Sequence, residues 1–174
     1  MSSRRNAIAF CVVLVLAAAC GKKEEKTAVQ GTEAAPAAAA PAQPAANCAL
    51  ITAAEVQEAT GQPATGPTVN GTNSTVCEFK VSEAGVLNFY FKRARADETP
   101  DAMMAALTKE KIPVAEHAGL GDRSFFASPG YGMTQLNSFK GPDYVIVTLL
   151  VPGLGEAKQK EVAAKVMAKA LSRL

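Results

Sequence analysis

Residues 75–94 read "TVCEFKVSEAGVLNFYFKRA", and their pattern decides the fold. "TVCEFKV" and "VLNFYFKRA" each alternate with period two, and Glu83-Ala84-Gly85 between them is turn chemistry. Alternation sends neighbours to opposite faces of a strand, so the stretch predicts a β-hairpin. Cys77, Phe79 and Val81 share one face, and Leu87, Phe89 and Phe91 share the matching face of the partner strand. Those six side chains are the expected start of a core.

Upstream, "ITAAEVQEATG" predicts a helix with both ends marked. Thr52 stands three residues before Glu55, which makes a capping box. Ile51 and Val56 are placed as a hydrophobic staple, and Gly61 suits a left-handed C-terminal stop. A polar loop with Gly66, Pro67 and the pair Asn70-Gly71 follows. The Asn70-Gly-Thr and Asn73-Ser-Thr triplets read as turns.

Downstream of the hairpin, Thr99 caps and Pro100 opens a second helix, "TPDAMMAALTKEK", which ends before Pro113. Met103 and Leu107 lie four apart on its face and read as core filler. Three strands are expected next, around Arg123–Ala127, Met133–Lys140 and Tyr144–Val151, with "SPGYG" and "KGPD" as turns. "YVIVTLLV" is apolar on both faces, as a central strand covered on both sides would be. From about Glu156 a last helix lines Val162, Val166, Ala170 and Leu174 on one stripe, with Lys158, Lys165, Lys169 and Arg173 on polar positions. The order α-β-β-α-β-β-β-α makes an α+β domain with a mainly antiparallel sheet of about five strands and three helices.

The chain before this domain is of a different kind. Arg4 and Arg5 precede thirteen consecutive apolar residues, Ala7 to Ala19. A membrane-spanning helix takes about 20 such residues, so the run reads as an export signal peptide, residues 1–19. It ends in "AAAC" at Cys20, which resembles the lipobox of bacterial lipoprotein precursors, although Leu16 sits one place earlier than the usual leucine. "AAA" also fits an ordinary signal-peptidase site cutting the same bond. Cysteine arithmetic favours lipidation. Of the four cysteines, Cys11 leaves with the signal and Cys48 and Cys77 form a pair for an oxidising compartment. Cys20 is then the thiol that carries diacylglycerol, with a palmitate-type acyl chain on the new N-terminus. Several acyl chains together anchor a protein stably where one binds only marginally. Gly21 resembles the default for outer-membrane delivery in double-membrane bacteria. The outer face of the cytoplasmic membrane is the alternative.

Gly21–Asn47 is rich in Ala and Pro and has no large apolar surface to offset the entropy of ordering it. Residues 20–47 therefore read as the lipidated N-terminus and a disordered linker. Fully extended, this linker reaches about 80 Å. Residues 48–174 remain as one domain. A bridge between Cys48 and Cys77 would staple the first helix to the first strand of the hairpin.

In residues 48–174, thirteen Lys or Arg stand against thirteen Asp or Glu. A nucleic-acid partner needs a concentrated positive field, and this domain has none. His117 is the single histidine, and no Cys/His/carboxylate cluster has metal-ligand spacing. No cofactor and no metal are expected. The expected role is a non-enzymatic envelope module that is held to the membrane by lipid. Its partner would be an envelope protein, a cell-wall component or a small ligand. The alternative is a hydrolase-like enzyme using His117 with Asp122 and Ser124 or Ser128. The candidate binding loop is 119–132, "GLGDRSFFASPGYG", with Asp122, Arg123 and Tyr131 as contact residues.

"CALITAAEV", Cys77, "GLGD" at 119–122 and the final helix, in that order, resemble a family of secreted lipoproteins of unknown function well represented in actinobacteria. Related lipoprotein domains look similar to the PsbP/Mog1-type α+β fold. The resemblance implies that architecture and no catalytic residues.

Overall fold

The hairpin supplies the second and third strands of a sheet larger than the sequence suggests. A computed structural model describes residues 46–69 and 76–174. The expected signal peptide, Cys20, the expected linker up to residue 45 and the turn expected at Asn70-Gly71 lie outside the described residues. A short 3-10 helix, Ala46–Leu50, leads into α1 (Ala53–Thr60). Then come β1 (Ala64–Val69), β2 (Val76–Val81), β3 (Gly85–Arg93), α2 (Pro100–Lys109), β4 (Val114–His117), β5 (Arg123–Gly130), β6 (Met133–Lys140), β7 (Asp143–Leu150) and α3 (Glu156–Leu171). The seven strands form one sheet in the order β1-β2-β3-β7-β6-β5-β4, every neighbour antiparallel. Among the described residues no helix is long and apolar enough to cross a membrane.

The expectation of about five strands is therefore corrected to seven. The two unexpected strands, β1 and β4, are the two edges of the sheet. An edge strand buries little, so its hydrophobic pattern is weak, and neither has a fully buried residue. Gly66-Pro67 disguises β1 further. Proline cannot donate to a ladder and is tolerated at edges and irregularities, and the β1–β2 register shifts between Thr65 and Thr68 to absorb it. β4 has only four residues directly after Pro113, too few for alternation to show.

One face of the sheet makes the main core. Cys77, Phe79 and Val81 of β2, Leu87 and Phe89 of β3, Leu136 of β6, and Val145, Val147 and Leu149 of β7 are buried there. α1 packs over β1 and β2, and α3 crosses β6 and β7. These helices bring Val56, Val162, Val166, Met167 and Ala170 to the same cluster. Each large side chain fully buried this way stabilises by about 1.5–3 kcal/mol. The capping box forms, with Thr52 Oγ1 accepting from the Glu55 N–H at 3.3 Å and Glu55 Oε2 accepting from the Thr52 N–H at 3.0 Å. Gly61 closes α1 at φ 70°. Cys48 and Cys77 are joined by a disulfide with Cα atoms 5.6 Å apart.

The opposite face is covered only in part. α2 lies against β4 and β5, and Met103, Met104 and Leu107 rest on Phe125, Phe139 and Tyr144. No residue of α2 is fully buried. β7 is central, as "YVIVTLLV" suggests, yet Ile146, Thr148 and Leu150 are only half-buried, Ile146 at the margin of the cluster under α2 and the other two beyond it. Covering on both sides holds for the Tyr144 end of that strand alone.

Candidate functional site

Residues 119–132 are not a loop. β5 occupies their centre and sends Phe125 and Phe126 to opposite faces, 1% and 7% exposed. Asp122 and Arg123 lie at one end of the strand and Tyr131 at the other, roughly 25 Å apart at ~3.3 Å per residue. Asp122 Oδ2 accepts from the Gly141 N–H at 2.6 Å, and the Asp122 N–H donates to Phe139 O at 2.7 Å, locking this turn to the next. The turn passes so close to Phe139 that a Cβ on Gly121 would stand 2.3 Å from its carbonyl oxygen. Arg123 donates to Glu116 Oε1 at 2.6 Å and to Asp101 Oδ1 at 3.1 Å, tying β5 to β4 and to the start of α2. Tyr131 is 93% exposed at the β5–β6 hairpin tip, with φ 54°. The three residues proposed as one contact surface are not brought together.

Of the alternative catalytic set, His117, Asp122 and Ser124 line one hollow and His117 and Ser124 are cross-strand neighbours, but the hydrogen bonds of Ser124 and Asp122 go to backbone groups. Ser124 Oγ donates to the backbone carbonyl of His117 at 2.6 Å. The His117 ring meets Phe126 edge-on, with centroids 5.0 Å apart. Ser128 lies further along β5, where its N–H donates to Pro113 O at 3.0 Å. A hollow of about 330 Å³ follows the chain from Glu116 to Ser124. Among the described residues no group of three or more His, Cys, Asp or Glu could hold a metal ion.

Among the described residues two other depressions stand out. Between α1 and α3 a groove of about 470 Å³ has Ala59 and Val166 on its floor and Glu55, Glu58, Lys165 and Lys169 at its rim. Two of its charges are held in ion pairs, one between the helices and one within α3. Arg173 pairs with Glu55 and also donates to Leu50 O at 2.6 Å, and Lys165 pairs with Glu161 at 2.8 Å. The Arg173 guanidinium, as hydrogen-bond donor to Glu55, holds that carboxyl down at about 2.

The second depression, about 390 Å³, lies on the uncovered sheet face beside α2. The strand register arranges its walls in rows. Asn88, Thr148 and Gln135 are consecutive cross-strand partners on β3, β7 and β6, a polar row. Val76, Tyr90 and Ile146 form the next row, on β2, β3 and β7. Lys92, Tyr144 and Met103 of α2 close one end. Asn88 Oδ1 is buried without a hydrogen-bond partner. In the next row, opposite Ile146 on β6, Asn137 Oδ1 accepts from Tyr144 OH at 2.7 Å and from Gln135 Nε2 at 2.9 Å, while Asn137 Nδ2 is buried and unpartnered. Lys92 is paired with Glu98. Burial pushes the Tyr144 phenol well above its ordinary range, so it stays a neutral donor. Buried polar atoms left unpaired cost roughly 1–3 kcal/mol each, which makes their position informative. This is the candidate site. Sequence reasoning passed over Asn88, Tyr90, Gln135 and Thr148 because it followed only the apolar phase of each strand. The signal was in the other phase: Val86, Asn88 and Tyr90 alternate with the core residues of β3.

A family model for proteins of unknown function, DUF3558, matches residues 15–125, from the N-terminal apolar run into β5. The match spans more than half of the chain, which belongs to this family. No curated protein and no solved structure matches the chain.

Proposed function

We propose that this member of the DUF3558 family is a lipid-anchored module of a bacterial cell envelope that binds a partner and performs no chemistry of its own. Residues 1–19 direct export, Cys20 receives the lipid, and residues 20–47 tether the domain. Gly21 directs it to the outer membrane. The depression beside α2 is the binding site.

The observation that carries this reading is the sulfur pairing. Cys48 and Cys77 are consumed by one bridge inside the folded part. With Cys11 in the export signal, Cys20 is left as a lone cysteine at a lipobox-like seam. A disulfide in a domain of this size also fits an oxidising compartment. The non-enzymatic part is supported by the partners of the alternative catalytic set. The Ser124 hydroxyl is committed to a backbone carbonyl, Asp122 to a backbone N–H, and the His117 ring to Phe126.

Intact-mass measurement of the protein extracted from envelopes tests the reading. A chain beginning at Cys20 with a diacylglycerol-plus-acyl increment is expected, and Cys20→Ser releases the protein from the membrane fraction. An unmodified Cys20 in the mature chain overturns the anchor. Loss of an envelope phenotype in His117→Ala, with folding unchanged, overturns the non-enzymatic role.

A further inference from the structure

We propose that the depression beside α2 binds a neutral glycan chain laid across strands β3, β7 and β6. The inference rests on the binding-module reading above and names its ligand class. At about 390 Å³ the depression falls within the size range of small-ligand sites, which combine apolar walls with a few placed polar groups.

Three features of its lining select the ligand. The first is charge. Lys92 is neutralised by Glu98, and the other lining side chains are Val, Asn, Tyr, Met, Gln, Ile and Thr. The lining itself offers no net charge to a phosphate, a carboxylate or a cation, and Glu78, the cross-strand partner of Asn88 on β2, stands outside it at the end of the row, so an uncharged occupant fits it best. The second is hydrogen bonding. Asn88 Oδ1 is a buried acceptor with nothing to accept from, and Thr148 presents a hydroxyl beside it in the same row. An occupant rich in hydroxyl donors satisfies this row. The third is the row pattern itself. Asn88, Thr148 and Gln135 repeat at the strand spacing, ~4.8 Å, and the row runs about 10 Å across three strands. That repeat is close to the length of one pyranose ring, so successive sugars meet successive strands.

On β3 and β7 the positions flanking the row are apolar, Val86 and Leu150 on one side and Tyr90 and Ile146 on the other; Lys80 of β2 extends the first flank and Asn137 of β6 the second. A sugar ring has an apolar C–H face and a rim of hydroxyls. Its face rests on Tyr90, an aromatic with large contact area, while the rim meets the polar row. An extended peptide fits this surface worse. Peptides add to sheets through main-chain hydrogen bonds at an exposed edge. Here β3, β7 and β6 are interior strands whose ladders are filled on both sides.

The test is isothermal titration of the mature full-length chain, released as Cys20→Ser, with three probes: chitohexaose, cellohexaose and a sugar-free cell-wall stem peptide. Binding of at least one hexasaccharide is expected, with at least tenfold weaker affinity in Tyr90→Ala and in Asn88→Ala. Thr148→Val, which keeps the side-chain volume, is expected to weaken binding several-fold with an unchanged melting temperature. It serves where the alanine variants fail to fold. Three results overturn the proposal: neither hexasaccharide binding to the folded protein, the stem peptide binding in their place, or full affinity in the folded variants. A correctly acylated protein that captures a specific envelope partner but no glycan loses only this assignment. An unmodified Cys20 removes the anchor while leaving the glycan result standing.

Discussion

Phe89 and Tyr90 are neighbours in β3, yet they meet opposite surroundings. Phe89 points into the layer sealed by α1 and α3 and is fully buried. Tyr90 points to the side where α2 stops short and lines an open depression. One sheet thus carries a face built for stability and a face left half-finished. The first is packed from two directions with apolar side chains. The second mixes three aromatics under α2 with a row of amides and a hydroxyl beyond it. Polar groups at that density add little to a core, because burial costs them their water. Their presence on the uncovered half of a sheet is a reason to look for binding there.

The sharpest way to break this comparison is to truncate both neighbours. Phe89→Ala leaves a cavity in the sealed layer and should cost about 3–5 kcal/mol in urea unfolding. Tyr90→Ala should cost under about 1 kcal/mol, as a change on a half-exposed surface does. Equal costs would mean that the second face is core in all but exposure.

Next in size is the disulfide. Replacing Cys48 and Cys77 by alanine opens a loop of sequence separation 29. The chain-entropy relation puts the loss at about 3–4 kcal/mol, read as a lower denaturation midpoint. A shift of less than about 1 kcal/mol would show that α1 holds to the sealed face by packing alone.

Leu107→Ala on α2 tests the other face, with an expected cost of about 1–2 kcal/mol because Leu107 is only partly buried. A cost matching that of Phe89→Ala would make the two faces equal partners in folding.

The smallest effect is electrostatic. The Glu55 carboxyl is lowered from 4.5 to about 2, chiefly by its hydrogen bond from Arg173. A carboxyl depressed on folding stabilises fully above its unfolded value and loses that contribution as pH falls through the folded one. Stability should therefore decline between about pH 4.5 and about 2. Arg173→Gln should flatten the decline, measured as urea midpoints at pH 6 and pH 3. An unchanged slope would assign acid sensitivity elsewhere.

The sealed face was the legible one. Period two in β2 and β3, the Thr52–Glu55 box and the stripe of Val162, Val166 and Ala170 all express apolar burial, and all three residues of the stripe are buried. Leu174, placed on the same stripe, falls beyond the end of α3 and is 37% exposed. β1 and β4 escaped because edges need little burial, and in β1 a Gly-Pro pair erased the alternation. The site was harder still. The strand expected at Arg123–Ala127 is there as β5, but it runs on to Gly130 and so separates Asp122 and Arg123 from Tyr131, which a binding loop over 119–132 would have joined. The polar row across β3, β7 and β6 exists only after register pairs Asn88 with Thr148 and Thr148 with Gln135, residues 60 and 13 positions apart. No local pattern in the sequence encodes that meeting.

The Cys48–Cys77 bridge has a mechanical consequence. Under the proposed anchor at Cys20, a domain whose partner is fixed elsewhere would be pulled from its N-terminus. Tension applied at that end would reach Cys48 and pass through the sulfurs into Cys77 of β2, which is bonded into the sheet on both sides. Residues 49–76, with α1 and the edge strand β1, sit in a covalent bypass that carries no load. The weakly held edge is thus spared, and the force falls on the strand best able to share it with its neighbours.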